Sequence, residues 1–174
     1  MAEASTTVSE RSCGDCTLCC KVYPVPAVDN KPANVWCKHC TPGKGCGIWA
    51  VRPQFCKDFH CHWIHEHSLG EEWKPSIAKF VMNNEAVDRF AVICDPGHPT
   101  AWSRAPYGSQ LRKIAAKLLE NGRYMMVYSG PVKHIVLPNE DVHVGKIDDN
   151  RKISIRKHRR FGTERYSVEF ADAS

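Results

Sequence analysis

The stretch CGDCTLCC at residues 13–20 contains four thiols within eight residues. Cys13 and Cys16 have the Cys-x-x-Cys spacing, and so do Cys16 and Cys19. This spacing lets two thiolates in a tight turn reach one metal ion at about 2.3 Å. Adjacent Cys19 and Cys20 point in different directions from an extended backbone, so the doublet can serve two metal sites or two edges of a cluster. The stretch therefore predicts that this part of the chain folds around metal.

The cysteines of the chain are clustered rather than spread. Nine of the ten lie between Cys13 and Cys61, and Cys37 and Cys40 form another Cys-x-x-Cys pair. A single ion with four thiolate ligands would leave several of these cysteines idle, whereas two ions or one polynuclear iron-sulfur cluster would use the set better. Spacing alone does not separate the metals, because thiolates bind both zinc and iron. We expect zinc first, with iron or an iron-sulfur cluster as the alternative.

The sequence context favours metal over disulfides. The N-terminal segment MAEASTTVSERS lacks the apolar region of a secretory signal, and no window approaches about 18 uninterrupted apolar residues. We therefore expect a cytoplasmic protein with no membrane partner. Thiols stay reduced in that compartment, so a dense cysteine pattern is more typical of metal binding or redox chemistry than of disulfide bridges.

Composition divides the chain into three parts. Residues 1–12 are small and polar and are predicted to form a disordered tail. Residues 13–65 are predicted to form a loop-rich metal-binding module, because their density of Pro and Gly excludes long helices and strands. Such a segment buries little apolar surface, whereas a structural zinc contributes on the order of 10 to 16 kcal/mol to the folding of small modules. Residues 76–174 are predicted to form an α+β region packed on that module.

The α+β region contains one helix signal among several strand signals. Apolar residues from Leu111 to Leu119 recur at helical spacing and Asn121 and Gly122 supply a stop, so we expect one main amphipathic helix. Short β-branched and aromatic runs bounded by turn residues predict a small antiparallel sheet. The last run alternates apolar and polar residues and predicts a basic, one-sided hairpin. The expected strands and hairpin occupy residues 89–95, 124–129, 133–138, 141–147 and 152–170.

A longer pattern resembles a known family. CGDCTLCC is followed by a middle cysteine at Cys37 and by CGIWAVRPQFCKDFHC at residues 46–61. Together these resemble the signature of the CxxCxxCC, or YkgJ-type, family of zinc- or iron-chelating cysteine-cluster proteins, including its Arg-Pro pair at Arg52 and Pro53. The resemblance covers about residues 13–63 and implies eight metal ligands. These ligands are Cys13, Cys16, Cys19, Cys20, Cys37, Cys46, Cys56 and Cys61.

The resemblance implies a ligand set more than a reaction. Some relatives carry the block within larger proteins, including bacterial flagellin lysine methylases, in which an iron-sulfur cluster is implied. No substrate, reaction or protein partner follows for this chain. Two positions depart from the family pattern: Cys40 stands where an apolar residue is expected, and Lys57 replaces the commoner arginine. The extra Cys40 beside His39 leaves the local ligand assignment open.

Other metal patterns fail at individual residues. The bacterial ferredoxin run C-x2-C-x2-C-x3-C-P matches as far as Cys19, but Tyr23 occupies the fourth ligand position. No HExxH or HxxEH sequence is present, so a hydrolytic zinc site lacks support. Four histidines near the end of the motif could add imidazole ligands, although a titratable polar surface is the simpler interpretation. They are His60, His62, His65 and His67.

Several residues outside the ligand set have structural interpretations. Cys94 lies in an apolar run and is expected in the core. Asp95, His98 and Trp102 suit a turn and an anchoring aromatic side chain better than a catalytic group. Arg52 is expected to donate to loop carbonyls or to thiolate sulfurs.

The run RKISIRKHRR at residues 151–160 is strongly basic. It could contact phosphates, which makes a nucleic-acid-binding module the second alternative to metal binding. A charged edge hairpin that resists aggregation is the simpler interpretation.

Overall fold

The computed structural model describes residues 11–145 and 151–171 of the 174-residue chain. Residues 1–10 of the predicted disordered tail therefore lie outside the described residues, as do the last two residues of the strand predicted at 141–147. Within the described ranges, no helix combines the length and the apolar character needed to cross a bilayer.

Short elements make up the cysteine-rich segment and its junction with the sheet. They are helices α1 (Leu18–Val22), α2 (Gln54–Asp58), α3 (His62–His65) and α4 (Pro75–Ala78), with a small hairpin of strands β1 (Cys40–Thr41) and β2 (Gly45–Cys46). Single 3-10 turns at Trp49–Val51 and Glu71–Trp73 lie between them. The described residues of this segment thus contain no long helix or strand, as their Pro and Gly content predicts.

Five strands form the main sheet, in the spatial order β3-β4-β5-β6-β7. They are β3 (Phe80–Asn84), β4 (Arg89–Cys94), β5 (Tyr124–Ser129), β6 (Val132–Val136) and β7 (Asp141–Gly145). The last three strands pair antiparallel as predicted, and the α+β class is confirmed.

One pairing in the sheet differs from the predicted antiparallel arrangement. Strand β4 pairs with β5 in parallel, with Arg89 opposite Tyr124 and Ile93 opposite Tyr128. The chain between them includes helix α5 (Tyr107–Glu120), which returns it to the same end of the sheet. A long connection containing a helix is what joins parallel strands.

Strand β3 was not predicted from the sequence. It pairs antiparallel with β4, from Phe80 opposite Cys94 to Asn84 opposite Phe90. Its sequence FVMNN ends in asparagines, which strands disfavour. Phe80 is 1% exposed, so burial between β4 and the cysteine-rich segment overrides that weak local preference.

Helix α5 confirms the predicted amphipathic helix and its stop. Leu111 and Ala115 are fully buried on the face that meets the sheet. Gly122 has a φ of +68°, a left-handed conformation that glycine adopts without strain. The Arg123 amide then donates to the Leu118 carbonyl at 2.9 Å, which closes the helix end.

The two faces of the sheet are covered by different parts of the chain. Met125 and Val127 on β5 face a cluster that contains α5 and the cysteine-rich segment. Met126, between them, faces a second cluster with residues of the C-terminal hairpin, such as Ile155 and Val168. That hairpin consists of β8 (Lys152–Arg160) and β9 (Thr163–Ala171), and its apolar side lies on the sheet, as the predicted one-sided hairpin requires.

Contacts across the first cluster join the cysteine-rich segment to the sheet. Leu18 and Val22 of α1 are buried in the same cluster as the β3 and β4 side chains. Lys21, on the same helix, forms an ion pair of 2.6 Å with Asp95, directly after β4. Burial of apolar area and this shielded ion pair therefore fix α1 against the end of β4.

We predict that Met125→Ala and Met126→Ala each lower the free energy of unfolding by about 2 to 5 kcal/mol, because both side chains are almost fully buried, on opposite faces of one strand. Val87→Ala, at a residue that is 95% exposed, should change it by less than about 0.5 kcal/mol. Urea unfolding measures all three. A neutral Met126→Ala variant would show that the hairpin does not cover the second face.

Candidate metal centre

The CGDCTLCC stretch folds into a turn followed by helix α1. The Cys16 amide donates to the Cys13 carbonyl at 2.7 Å, which closes the turn. Gly14 within it has a φ of +51°. Cys19 and Cys20 then lie on the first turn of α1, behind the buried Leu18. The local fold thus brings these four thiols into a short compact segment.

The small hairpin and the loop before it bring three more cysteines to α1. The Cys37 amide donates to the Cys20 carbonyl at 3.1 Å. At the hairpin tip, the Gly43 amide donates to the hydroxyl of Thr17, a buried residue, at 3.1 Å. Cys46 on β2 lies directly opposite Cys40 on β1. These bonds dock the hairpin on the start of α1.

The last two motif cysteines lie on α2 and at the start of α3. Cys56 is in the middle of α2, which begins directly after Pro53. Cys61 is the residue before α3, and its sulfur accepts hydrogen bonds from the amides of Trp63 and Ile64. The Cys61 sulfur is thereby fixed at a helix start, where amide dipoles favour negative charge.

All eight cysteines of the predicted ligand set line one cavity of about 320 Å³. They are Cys13, Cys16, Cys19, Cys20, Cys37, Cys46, Cys56 and Cys61. The inner walls are completed by apolar side chains, including Tyr23, Phe59 and Val81. Trp49 and Phe55 also line the cavity, and they are 50% and 46% exposed, so they lie at its mouth.

The thiols are distributed around the cavity rather than gathered at a point. Within the described ranges, no three or more Cys, His, Asp or Glu side chains form a group that could hold a metal ion as placed. The cavity is also larger than one ion requires, since a sphere with the Zn–S radius of about 2.3 Å encloses only about 50 Å³. Binding of a metal ion would therefore need several of these thiols to move closer together.

Cys20 lies among groups that favour its thiolate form. Its sulfur accepts hydrogen bonds from the thiols of Cys19 and Cys40, and it lies near the ammonium of Lys31. The bond from Cys19 is the main reason that the pKa of Cys20 falls to about 6. The same bond raises the pKa of Cys19, the donor. Cys40, the extra cysteine of the pattern, thus belongs to the surroundings of Cys20.

Other thiols of the cluster resist ionisation. Burial is the first reason that the pKa of Cys13 and of Cys56 is raised, and neighbouring cysteines add to it. Burial also raises the pKa of Cys61 to about 11 and that of Cys40 to about 12. Mutual repulsion keeps these sulfurs from becoming thiolates together unless a cation neutralises them.

A buried ammonium lies beside the cluster. Lys31 is 6% exposed, and its ammonium donates to the carbonyls of Lys21 at 3.2 Å, of Pro32 at 3.0 Å and of Tyr23. Burial lowers the pKa of Lys31, and the charge of nearby sulfurs, Cys37 first, opposes that shift. Lys31 therefore anchors the end of α1 and places a positive charge near the thiols.

Arg52 occupies the role expected for the Arg-Pro pair. It donates to the Trp49 carbonyl at 2.7 Å, and its guanidinium lies 3.8 Å from the centre of the Trp49 ring. Its charge lowers the pKa of Cys13 and Cys56, against the larger effect of burial. The predicted hydrogen bond from Arg52 to a loop carbonyl is confirmed, whereas its stacking on the Trp49 ring was not predicted.

The histidines near the motif are divided between the cavity and other contacts. His65 lines the cavity, and its Nε2 lies 3.1 Å from Nδ1 of His60. His62 packs edge-on against Phe90 of the sheet. The His39 carbonyl accepts the Gly47 amide at 2.8 Å. Of these side chains, only His65 borders the space that the cysteines surround.

The residues expected to be structural have structural contacts. Cys94 is 2% exposed in β4, which confirms its place in the core. Asp95 accepts the Gly97 amide at 3.0 Å and pairs with Lys21. Trp102 is buried in the first cluster. Asp95 therefore stabilises a turn, and Trp102 anchors its loop in the core.

Comparisons of the chain with models of protein families, with curated proteins and with solved structures found no match. The resemblance to the CxxCxxCC family therefore rests on the motif residues alone.

Sequence reasoning missed Lys31 and the role of Tyr23. A single lysine in a Pro-rich loop gives no pattern that indicates burial. From the sequence, Tyr23 is only the residue that breaks the ferredoxin run. In the structure its hydroxyl donates to Asn83 of β3 at 2.7 Å and its ring lies 4.7 Å from that of Phe59. Tyr23 thus closes the cavity on the side of the sheet.

We predict that Lys31→Met lowers the free energy of unfolding by at least about 2 kcal/mol, because a hydrogen bond from a charged group contributes roughly 1.5 to 3 kcal/mol. Lys38→Met is the matched control, since Lys38 is exposed and pairs with the exposed Asp29. It should cost no more than about 1 kcal/mol. Equal losses in urea unfolding would show that the carbonyl contacts of Lys31 are unimportant.

We also predict that Cys20 is alkylated first when metal-free, reduced protein meets iodoacetamide at neutral pH. Its pKa of about 6 makes it largely thiolate there, and its rate should fall as the pH drops through that value. Cys61, with a pKa of about 11, should react slowly. Peptide mass spectrometry locates the label. Alkylation of both residues at one rate would contradict this account of the cluster.

Proposed function

We propose that this protein binds metal through the thiolates of its cysteine cluster. The observation that carries the proposal is that all eight cysteines of the motif line one cavity, although they come from a turn, two helices, one strand and the loops before β1 and α3. Buried thiols that served only as small apolar side chains would have no reason to face a common space. The mouth of the cavity, at Trp49 and Phe55, provides a path of entry.

The donor set fits a soft, thiophilic metal. Thiolate sulfur is the preferred ligand of zinc and of iron in iron-sulfur clusters. Eight sulfurs around about 320 Å³ favour a centre with more than one metal ion over a single tetrahedral ion. Lys31 would offset part of the negative charge of such a centre, and the amides at Cys61 would stabilise a thiolate there. When bound, the metal supplies the positive charge that lets these thiols ionise together.

Zinc is the first candidate metal. It requires only thiolates in a tetrahedral arrangement and performs no redox chemistry, so it suits a module whose long loops need an external source of stability. A reducing compartment such as the cytoplasm would keep the ligands available.

An iron-sulfur cluster is the second candidate, for one specific reason. The cavity walls combine the sulfurs with apolar side chains such as Tyr23, Phe59 and Val81, and an apolar shell limits the access of solvent to a cluster. When bound, such a cluster supplies electron transfer or Lewis-acid chemistry. The two candidates differ in colour and in response to reductant.

Metal content tests the proposal. Protein purified anaerobically is expected to contain zinc or iron in a fixed ratio to the chain, and Cys56→Ser should reduce that ratio. Cys94→Ser is the matched control, because Cys94 lies in the core outside the cavity and should retain the wild-type ratio. Visible absorption that bleaches with dithionite identifies the cluster, and colourless protein with zinc identifies the first candidate. Absence of both metals, or equal loss in both variants, overturns the proposal.

Metal removal should loosen one part of the chain selectively. We expect that chelation, or Cys16→Ser, makes residues 13–65 sensitive to protease while helix α5 and the sheet stay protected, because the second apolar cluster joins the sheet, α5 and the C-terminal hairpin without the cysteine-rich segment. Limited proteolysis with mass spectrometry measures which residues become sensitive. An unchanged melting curve and unchanged protection after complete removal would show that the metal is not structural.

A further inference from the structure

The net charge of the chain is concentrated in one hairpin. Residues 151–171 contain seven Lys or Arg and two Glu, an excess of five positive charges. The whole chain also has a net charge of +5, so all other residues together sum to zero. A basic element in an otherwise balanced chain attracts polyanions by its local field.

The two faces of this hairpin have different environments. Ile155 and Val168 are opposite each other and pack on the second apolar cluster. Side chains alternate along a strand, so Arg156, His158 and Arg165 project from the other face. All three are exposed, and His158 lies directly opposite Arg165. The sheet therefore holds the hairpin by one face and leaves a basic face outward.

The two glutamates do not neutralise the outer face. Glu164 pairs with Lys157 at 2.6 Å. Both side chains project from the face that packs on the sheet, nearer the hairpin tip than Ile155 and Val168. Glu169 reaches Arg156 at 3.5 Å, but the Arg156 side chain stays 73% exposed. Arg165 makes no ion pair with any residue that the structure describes. Cationic groups thus remain available to a partner.

The hairpin tip adds an aromatic ring to this charge. Phe161 is 94% exposed at the turn between β8 and β9. It borders a shallow cavity of about 540 Å³, which is large enough to admit a nucleobase. The cavity is lined by Glu140, His158, Phe161, Thr163, Arg165 and Tyr166. Aromatic and guanidinium groups beside each other can stack on a base and contact its phosphate.

We propose that the outer face and tip of the hairpin bind single-stranded nucleic acid, with Arg156 and Arg165 on phosphates and Phe161 stacked on a base. A two-stranded ribbon can also enter the major groove of a duplex, so the aromatic tip rather than the ribbon distinguishes single strands from duplex. An exposed aromatic ring requires an unstacked base, which single strands offer. Basic charge also attracts anionic lipid, but the apolar part of this surface is limited to Phe161, because Ser154 and Ser167 lie among the basic residues of the face. The inference does not depend on the proposed metal centre.

Fluorescence anisotropy of the full chain with labelled oligouridine and oligodeoxythymidine of about 15 nucleotides tests this inference. We expect binding that weakens with salt and exceeds binding to a duplex of equal length. The double variant R156Q/R165Q should bind more weakly, and its slope of log K against log salt should shrink by about 1.4, for two lost phosphate contacts. Phe161→Ala should weaken binding roughly fivefold to a hundredfold with the slope unchanged.

The control is K44Q/K113Q, which removes the same charge at two exposed lysines outside the C-terminal hairpin β8-β9. It should bind like the wild type. The inference is overturned by absent or salt-independent binding, by preference for the duplex, or by equal losses in the control. It is also overturned if phosphatidylserine vesicles bind and oligonucleotides do not. Circular dichroism checks the folding of each variant, and Phe161→Ala tests the inference without removing charge.

Discussion

The cost of placing several thiolates around one cavity is the constraint on which the structure of the N-terminal segment depends. Burial and neighbouring sulfurs raise the pKa of Cys13 and Cys56, so these thiols cannot ionise freely. Cys20 is the exception, because two thiols donate to it and Lys31 lies nearby. A bound metal would displace the thiol protons to solvent, and its positive charge would offset the repulsion among the resulting thiolates. The loops, the short helices and the small hairpin all serve to bring sulfur to this one space.

The five-stranded sheet supports the cysteine cluster from one side. Helix α1 places Cys19 and Cys20 toward the cavity and Leu18 and Val22 into the apolar cluster beneath it. Since a five-residue helix is not stable alone, its position follows from this packing and from the contacts at its end. The sheet in turn is covered on its other face by the C-terminal hairpin. The chain is thus layered, with the cysteine cluster on one side and the basic hairpin on the other.

Periodicity predicted the parts of this structure that depend on local sequence. Helix α5 and the one-sided hairpin have long, regular patterns with clear stops, and both are found as predicted. Strand β3 has only five residues and two asparagines, and the parallel pairing of β4 with β5 follows from the path of α5, which no local pattern specifies. The family resemblance implied the ligand set, and all eight of its cysteines border one cavity. The burial of Lys31 depends on carbonyls distributed over residues 21–32 and could not be read from the sequence.

X-ray absorption spectroscopy at the edge of the bound metal tests the central claim most directly, because it measures the ligand atoms and the neighbouring metal ions without a crystal. A thiolate centre predicts a first shell of sulfur at about 2.3 Å. The size of the cavity and its eight sulfurs further predict a second shell from another metal ion in the same centre. A first shell made only of oxygen or nitrogen, in protein purified anaerobically, would contradict the account.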